Sequence, residues 1–269
     1  MLVGMTSLGM GRTSLRETLA FAAQIGCQTI ELNGRPTVHQ AVWQDVGVEG
    51  VRAQLANSGL KVGSLGGYSS LAQPDDALLK AQVAEFVGYC RTACTLGIPV
   101  VRAFAGDVVP GVSLEALYPR MVAGFRTITT QIDGWAVCVG IENHGRLINQ
   151  GDWLSSLIHD VASPRLGITL DTGNFCWAGA SIEQAERWFE KLLPVTVSVH
   201  VKDGRFVDGE WTLLPAGRGD FDLAGLIKRL AQCGYTGQVV SEYEGTDDFE
   251  ASTAESVAYL RGIVDGVCA

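Results

Sequence analysis

Basic residues are scarce in this chain of 269 residues: 20 Lys and Arg stand against 29 Asp and Glu, a formal net charge of -9. That balance supplies no cationic footprint, which argues against nucleic acid or an anionic membrane as partner and in favour of a small neutral or weakly charged molecule. Histidine is scarcer still, with four residues, at 39, 144, 159 and 200. The seven cysteines, at 27, 90, 94, 138, 176, 233 and 268, form no CxxC pair, are odd in number and fall largely in core-like segments. They read as buried thiols of a reducing compartment. No run of about 18 uncharged apolar residues exists to span a membrane. The start of the chain, Met1-Leu2-Val3-Gly4-Met5, lacks the basic and apolar regions of a secretory leader. A cytoplasmic protein is expected. Two glycine clusters, Gly9-Met10-Gly11 and Gly63-Ser64-Leu65-Gly66-Gly67, fail to complete a GxGxxG phosphate loop, so a doubly wound nucleotide-binding sheet has little support.

What the chain has is apolar residues, 47% of the total, enough for one large core and a single domain over residues 1-269. Short apolar runs alternate with amphipathic stretches, the sign of repeated βα units. Strands are expected at 1-6, 29-32, 60-65 and 99-104, and then in four runs ending at Ile141, Leu170, Val199 and Ser241. Helices are expected between them, near 14-25, 46-58, 75-96, 113-132, 152-161, 182-192, 222-232 and 250-264. Ser14 with Glu17 and Ser181 with Gln184 have capping-box spacing, and Asp220 or Asp222 can cap the helix after them. Eight such units predict an α/β fold of the (β/α)8 TIM barrel type.

The last four runs carry the most information, because each is followed at once by a metal-ligating residue type: Glu142, Asp171, His200 and Glu242. In a parallel barrel the carboxyl ends of the strands converge on one face, so residues distant in sequence would meet there. Three carboxylates and an imidazole suit Mn²⁺, Mg²⁺ or Co²⁺ with positions left open for substrate oxygens; a structural Zn²⁺ would prefer thiolates.

The segments Ile141-Glu142-Asn143-His144-Gly145, Leu170-Asp171-Thr172-Gly173-Asn174, His200-Val201-Lys202-Asp203 and Ser241-Glu242-Tyr243 resemble the xylose isomerase-like TIM barrels, the sugar phosphate isomerase/epimerase superfamily. The resemblance implies that Glu142, Asp171, His200 and Glu242 bind one divalent ion, commonly Mn²⁺, with Mg²⁺, Co²⁺ or Zn²⁺ as substitutes. It also implies that Glu142 and Glu242 form the acid/base pair of a sugar isomerase or epimerase, acting on a keto-sugar or related polyol through a metal-bound enediolate. Two departures stand out. Asn174 occupies a place where several ketose epimerases carry a His, and an amide cannot relay a proton. The few histidines also rule against the trinuclear zinc site of the related apurinic endonucleases.

Five further residues are expected to meet substrate. His144 lies two beyond Glu142 and points the same way by strand alternation; Asn174 can orient a hydroxyl; Lys202 can donate to a developing oxyanion or pair with Asp203 or another acid at the rim. Arg218 sits in the loop after the seventh strand, where barrels often bind polar groups, and Glu31 could bind a hydroxyl across the barrel or pair with Arg102. Tyr68, Phe104 and Trp177 could stack on sugar C-H faces or pack in the core. His39 and His159 are given no chemistry. Two other functions share these residues: a metal-dependent lyase or dehydratase acting on an inosose or 3-keto-glycoside, and a non-catalytic sugar-binding barrel. A homo-oligomer, formed by burying a helical face, is compatible with all of them.

Overall fold

Strands rich in Val, Ile and Leu and nearly free of charge have to be covered on both faces, and a ring of helices around a closed parallel sheet does so. The structure, a computed structural model, describes residues 1–11, 13–34 and 41–268. His39 falls outside them. Strands β1 (Leu2–Thr6), β2 (Thr29–Asn33), β3 (Lys61–Gly66), β4 (Val100–Ala103), β5 (Cys138–Glu142), β6 (Leu166–Asp171), β7 (Thr196–Val201) and β10 (Gln238–Ser241) close a barrel in the order β1-β10-β7-β6-β5-β4-β3-β2. Every neighbouring pair is parallel.

Helices α1 (Leu15–Gln24), α2 (Ala41–Ser58), α3 (Asp76–Leu96), α4 (Leu114–Gln131), α5 (Gly151–Val161), α6 (Asn174–Trp177), α7 (Ile182–Leu192), α8 (Leu223–Gln232) and α9 (Phe249–Cys268) connect and cover the strands. Their starts are set by side chains that satisfy the first free backbone N-H groups. Ser14 and Glu17 complete a reciprocal capping box, Asp75 accepts from the Leu78 N-H, Ser181 from that of Gln184, and Asp222 from that of Gly225. Helix α2 begins earlier than expected and breaks at Gly47 (φ 62°). Phe86, Phe125, Phe175 and Phe189 are fully buried in the core, where truncation to Ala costs about 3–5 kcal/mol. No helix among the described residues is long and apolar enough to cross a membrane.

Two elements depart from the plain eightfold pattern. The short α6 follows β6 directly, carrying Asn174 and Trp177. Between β7 and α8, β8 (Asp203–Val207) and β9 (Glu210–Leu214) form an antiparallel hairpin where a loop was expected. Its two-residue turn is Asp208-Gly209, with φ of 51° and 86°, the left-handed pair that a type I′ turn requires. The hairpin ends at Leu214 and leaves Arg218 in the segment that leads away toward α8.

Candidate active site

The strands that end in ligand-type residues are neighbours around the barrel: β5, β6 and β7 run side by side, and β10 adjoins β7. Asp171 lies opposite His200 in the β6/β7 register, and the Glu242 N-H extends the ladder by donating to Val201 O at 3.0 Å. Glu142, Asp171, His200 and Glu242 are all buried, and one ligand atom of each lies within 4.8 Å of those of the others.

The strand ends are locked together by side chains that cross from one to the next. Asn143 clamps the Asp171 backbone, accepting from its N-H at 2.7 Å and donating to its carbonyl at 2.9 Å. Thr172 does the same one strand further on: its Oγ1 accepts from the Lys202 N-H at 2.9 Å and donates to the Lys202 carbonyl at 2.5 Å. Neither residue stood out in the sequence, although each immediately follows a ligand-type residue.

Each proposed ligand has one face engaged and another turned inward. Asp171 Oδ1 accepts the N-H groups of Gly173 (2.8 Å) and Asn174 (2.9 Å), while Oδ2 is buried without a hydrogen-bond partner. Lys202 Nζ stands 3.3 Å from that oxygen as an ion pair. Nζ also lies 3.2 Å from Glu242 Oε2 and 2.6 Å from Glu244 Oε2. His200 turns Nδ1 toward Glu242 Oε2 (3.1 Å) and Glu142 Oε1 (3.9 Å), and Nε2 toward Glu31 Oε2 (2.9 Å). Glu142 accepts from Asn174 Nδ2 at 3.0 Å and faces Arg102 Nε at 3.2 Å.

Electrostatics at such a site are dominated by desolvation and by close opposite charge. Burial, together with the Glu242 and Glu142 carboxylates, pushes Asp171 up to about 8, with Lys202 pulling the other way. For Glu242 burial acts upward, but Lys202 and His200 outweigh it and hold the carboxyl well below the usual range. Burial likewise disfavours charge on His200, and the Glu31 and Glu242 carboxylates overcome it, raising the imidazole well above its ordinary value. Lys202 is raised in the same way, by Asp171, Glu242 and Glu244 against burial. The donor set fits a divalent ion: three carboxylates and an imidazole converge, and a buried carboxylate oxygen in their midst receives no hydrogen bond.

Of the residues expected to meet substrate, His144, Asn174 and Lys202 share a cavity of about 210 Å³ with Gly173, Trp177, Leu213 and Glu244. His144 is stacked on Phe104 (ring centroids 4.3 Å apart) and on Trp177 (6.0 Å). Burial holds its imidazole below the ordinary value. A larger cavity, about 840 Å³, opens at the opposite end among the strand starts Leu2, Lys61, Val100 and Thr196; the ligating groups lie at the other mouth.

Two of the expected substrate contacts need correction. Arg218 is not brought to the site: it is exposed and pairs with Glu255 on α9, while the glycines on either side of it, Gly217 and Gly219, are held by Asp203. Glu31 does not face the substrate cavity; it takes its other expected role, with Arg102 Nε 3.7 Å from its Oε1, and lies behind His200. Lys202 does pair with acids at the rim, as one of its two expected roles had it, but these are Asp171, Glu242 and Glu244; Asp203 instead accepts the N-H groups of Gly204, Gly217 and Gly219. Glu244 itself went unnoticed in the sequence, though it follows Glu242 by two and so shares its side of an extended segment.

Comparison with known proteins agrees with this geometry at the level of fold. A D-tagatose 3-epimerase-like protein superposes with a TM-score of 0.82 at 18% identity, over 100% of this chain and 98% of the other. A xylose isomerase-like TIM barrel protein from Mycobacterium smegmatis, in complex with magnesium, gives 0.81 at 18% identity over 100% and 98%. D-psicose 3-epimerase with D-tagatose, from Clostridium cellulolyticum H10, gives 0.78 at 17% identity over 98% and 99%. Among curated proteins, no sequence matches the chain. The model of the xylose isomerase-like TIM barrel family matches residues 19–263, which is most of the chain, and with the closed parallel barrel above it establishes that this protein belongs to that family.

Proposed function

We propose that this protein is a divalent-metal-dependent sugar isomerase or epimerase, moving a proton beside the carbonyl of a keto-sugar or related polyol. The observation that carries the reading is the convergence of Glu142, Asp171, His200 and Glu242 within 4.8 Å at the carboxyl ends of adjoining strands. These four would hold one ion, Mn²⁺ first among those that suit such donors. When bound, the ion would supply Lewis acidity to a substrate carbonyl and its neighbouring hydroxyl.

Glu142 and Glu242 are the proposed acid/base pair. They enter the site from β5 and from the end of β10, with β6 and β7 between those strands in the barrel, so they approach a central ligand from different sides. Proton exchange from two sides inverts a carbon; transfer along one side moves a proton between neighbouring atoms. Each carboxylate is already oriented, Glu142 by Asn174 and Arg102, Glu242 by His200 and Lys202. Little reorganisation is then needed as charge shifts. The Lys202 ammonium lies on the wall of the cavity beside Asn174 and His144, where it can donate to the oxygen that gains negative charge. Two of the fold neighbours are named for ketose 3-epimerisation, which supports an unphosphorylated ketose as the first substrate class to test.

The test is deuterium uptake from D₂O into a panel of free ketoses with Mn²⁺ present. Uptake into at least one ketose, abolished in Glu142→Gln and in Glu242→Gln, is the expected result. Exchange that persists in either variant would remove the acid/base assignment.

A further inference from the structure

Beneath the four proposed ligands the barrel interior carries a second tier of polar side chains, and its layout follows from one slip of register. Where β2 pairs with β3, Ile30 lies opposite Val62 but Glu31 lies opposite Ser64, skipping Gly63. A bulge of this kind re-aims side chains, and here it sets the Ser64 hydroxyl against the Glu31 carboxylate. Glycine at the skipped position makes room for Gln238: a Cβ on Gly63 would lie 2.0 Å from its Oε1. Gln238 opens β10, is 4% exposed, and fills the space that Gly63 leaves.

Hydrogen-bond directions in this tier are forced by chemistry. Gln238 Nε2 donates to Ser64 Oγ at 2.5 Å and to Ser198 Oγ at 3.1 Å, while Oε1 accepts from Thr29 Oγ1 at 3.1 Å. An amide nitrogen only donates, so the Ser64 hydrogen must go elsewhere, and it goes to Glu31 Oε2. That same oxygen lies 2.9 Å from His200 Nε2. Glu31 Oε2 is therefore an acceptor toward both neighbours, and Nε2 carries hydrogen. Nδ1 faces the Glu242 and Glu142 carboxylates, so any hydrogen it carries in the metal-free chain is the one an ion would displace.

We propose that Glu31, held by Ser64 and Gln238, is a positioning residue that fixes the ring plane and tautomer of His200, so that the affinity of the metal site is set from inside the barrel. The proposal rests on reading Glu142, Asp171, His200 and Glu242 as the metal site. A ring N-H given to a carboxylate orients an imidazole and makes its opposite nitrogen a better donor, and loss of such a partner typically weakens metal binding about 10–100-fold.

The experiment uses the full chain and Zn²⁺ alone as a diamagnetic probe, read by calorimetry with a competing chelator and by NMR of ¹⁵N-histidine-labelled, zinc-saturated protein. Wild type is expected to bind Zn²⁺ and to show His200 as the Nε2-H form, with that proton far downfield in a strong hydrogen bond. Glu31→Gln should weaken Zn²⁺ binding about 10–100-fold and move the proton upfield. Ser64→Ala, which keeps the carboxylate and removes one of its donors, should give a smaller loss in the same direction; it also decides the matter if Glu31→Gln fails to fold. Zinc affinity within about twofold of wild type, with an unshifted His200 proton, in whichever of these variants folds would overturn the positioning role while leaving the metal site standing. Failure of the wild-type chain to bind any divalent ion would overturn both.

Discussion

Asn174 donates its amide hydrogen to Glu142 Oε1 across 3.0 Å and, through its other end, accepts from Lys202 Nζ at 3.2 Å. One amide thus ties the carboxylate at the end of β5 to the ammonium that follows β7. Its backbone N-H meanwhile bonds Asp171 Oδ1, so α6 begins at the centre of the site. An imidazole here could shuttle a proton; an amide can only orient its neighbours.

Asn174→Ala should accordingly lower kcat about 10–100-fold, by freeing Glu142 to rotate, with the fold unchanged by circular dichroism. Asn174→Asp should do something different. A second carboxylate about 3 Å from Glu142 raises the proton affinity of the pair, so the acid limb of the pH–rate profile should move to higher pH. Wild-type kcat in Asn174→Ala would show that Glu142 needs no such restraint.

The four proposed ligands were legible in the sequence because parallel strands buried on both faces read as unbroken apolar runs, and a charged residue that ends such a run is conspicuous. The helix starts were legible for a local reason: a cap and its target lie three residues apart, as Ser14 and Glu17 do. The hairpin had a legible signal too, Asp208-Gly209 between residues of β propensity, but it lies so close behind His200 that the segment reads as a loop. Arg102 was legible as a partner of Glu31, but Ser64 and His200 were not. The environment of Glu31 is assembled from β2, β3, β7 and β10, and Gln238 stands 174 positions from the Ser64 it bonds. The same holds for Arg218, whose partner Glu255 lies on α9.

Metal binding should strengthen as the pH rises. Burial and the neighbouring carboxylates raise Asp171 from an ordinary 3.8 to about 8, and His200 is raised as well, so each holds its proton to higher pH than in the unfolded chain, and an incoming ion competes with that proton. The sign of the stability effect is the same for both. Between 3.8 and about 8 the folded metal-free chain holds an Asp171 proton that the unfolded chain has lost, so its stability falls as pH rises through that window. The stability due to His200 is full below the unfolded histidine value and is lost as pH rises through its raised folded value. Metal-loaded protein escapes both losses. The gain in Tm from added Mn²⁺ should therefore be larger near pH 8 than near pH 6, reaching about 2.7 kcal/mol at a hundredfold excess over Kd, roughly 5–10 °C for a chain of this size. Differential scanning fluorimetry across that range is the check, and a gain that shrinks with rising pH would contradict the assignment of Asp171 and His200 as ligands.

Lys202 is the cation shared by Asp171, Glu242 and Glu244 and is 6% exposed. Removing one member of a buried charge cluster leaves the others uncompensated, at a cost of about 3–5 kcal/mol. Lys202→Met should therefore lower the Tm of the metal-free chain clearly, and saturating Mn²⁺ should restore most of it by supplying positive charge to the same carboxylates. Activity should not return with it, because the group proposed to face the developing oxyanion is gone. Near wild-type kcat in metal-saturated Lys202→Met would assign the lysine to charge balance alone.

Trp177 and Arg218 make a matched pair of exposed residues with opposite expectations. Trp177 is 47% exposed yet stacks on His144 and lines the cavity that also holds Asn174 and Lys202; Arg218 is exposed and spends its charge on Glu255. Aromatic stacking contributes about 0.5–1.5 kcal/mol beyond area burial. Trp177→Ala should thus raise KM roughly 2–10-fold with kcat largely kept, the signature of binding lost equally from ground and transition states, and should leave Tm nearly unchanged. Arg218→Ala should alter neither constant, since a surface ion pair of this kind is worth about 0–1 kcal/mol. Steady-state kinetics of the two variants on one ketose decide it: a KM defect confined to Arg218→Ala would mean that the polar end of the substrate reaches the loop after the hairpin and not the aromatic stack.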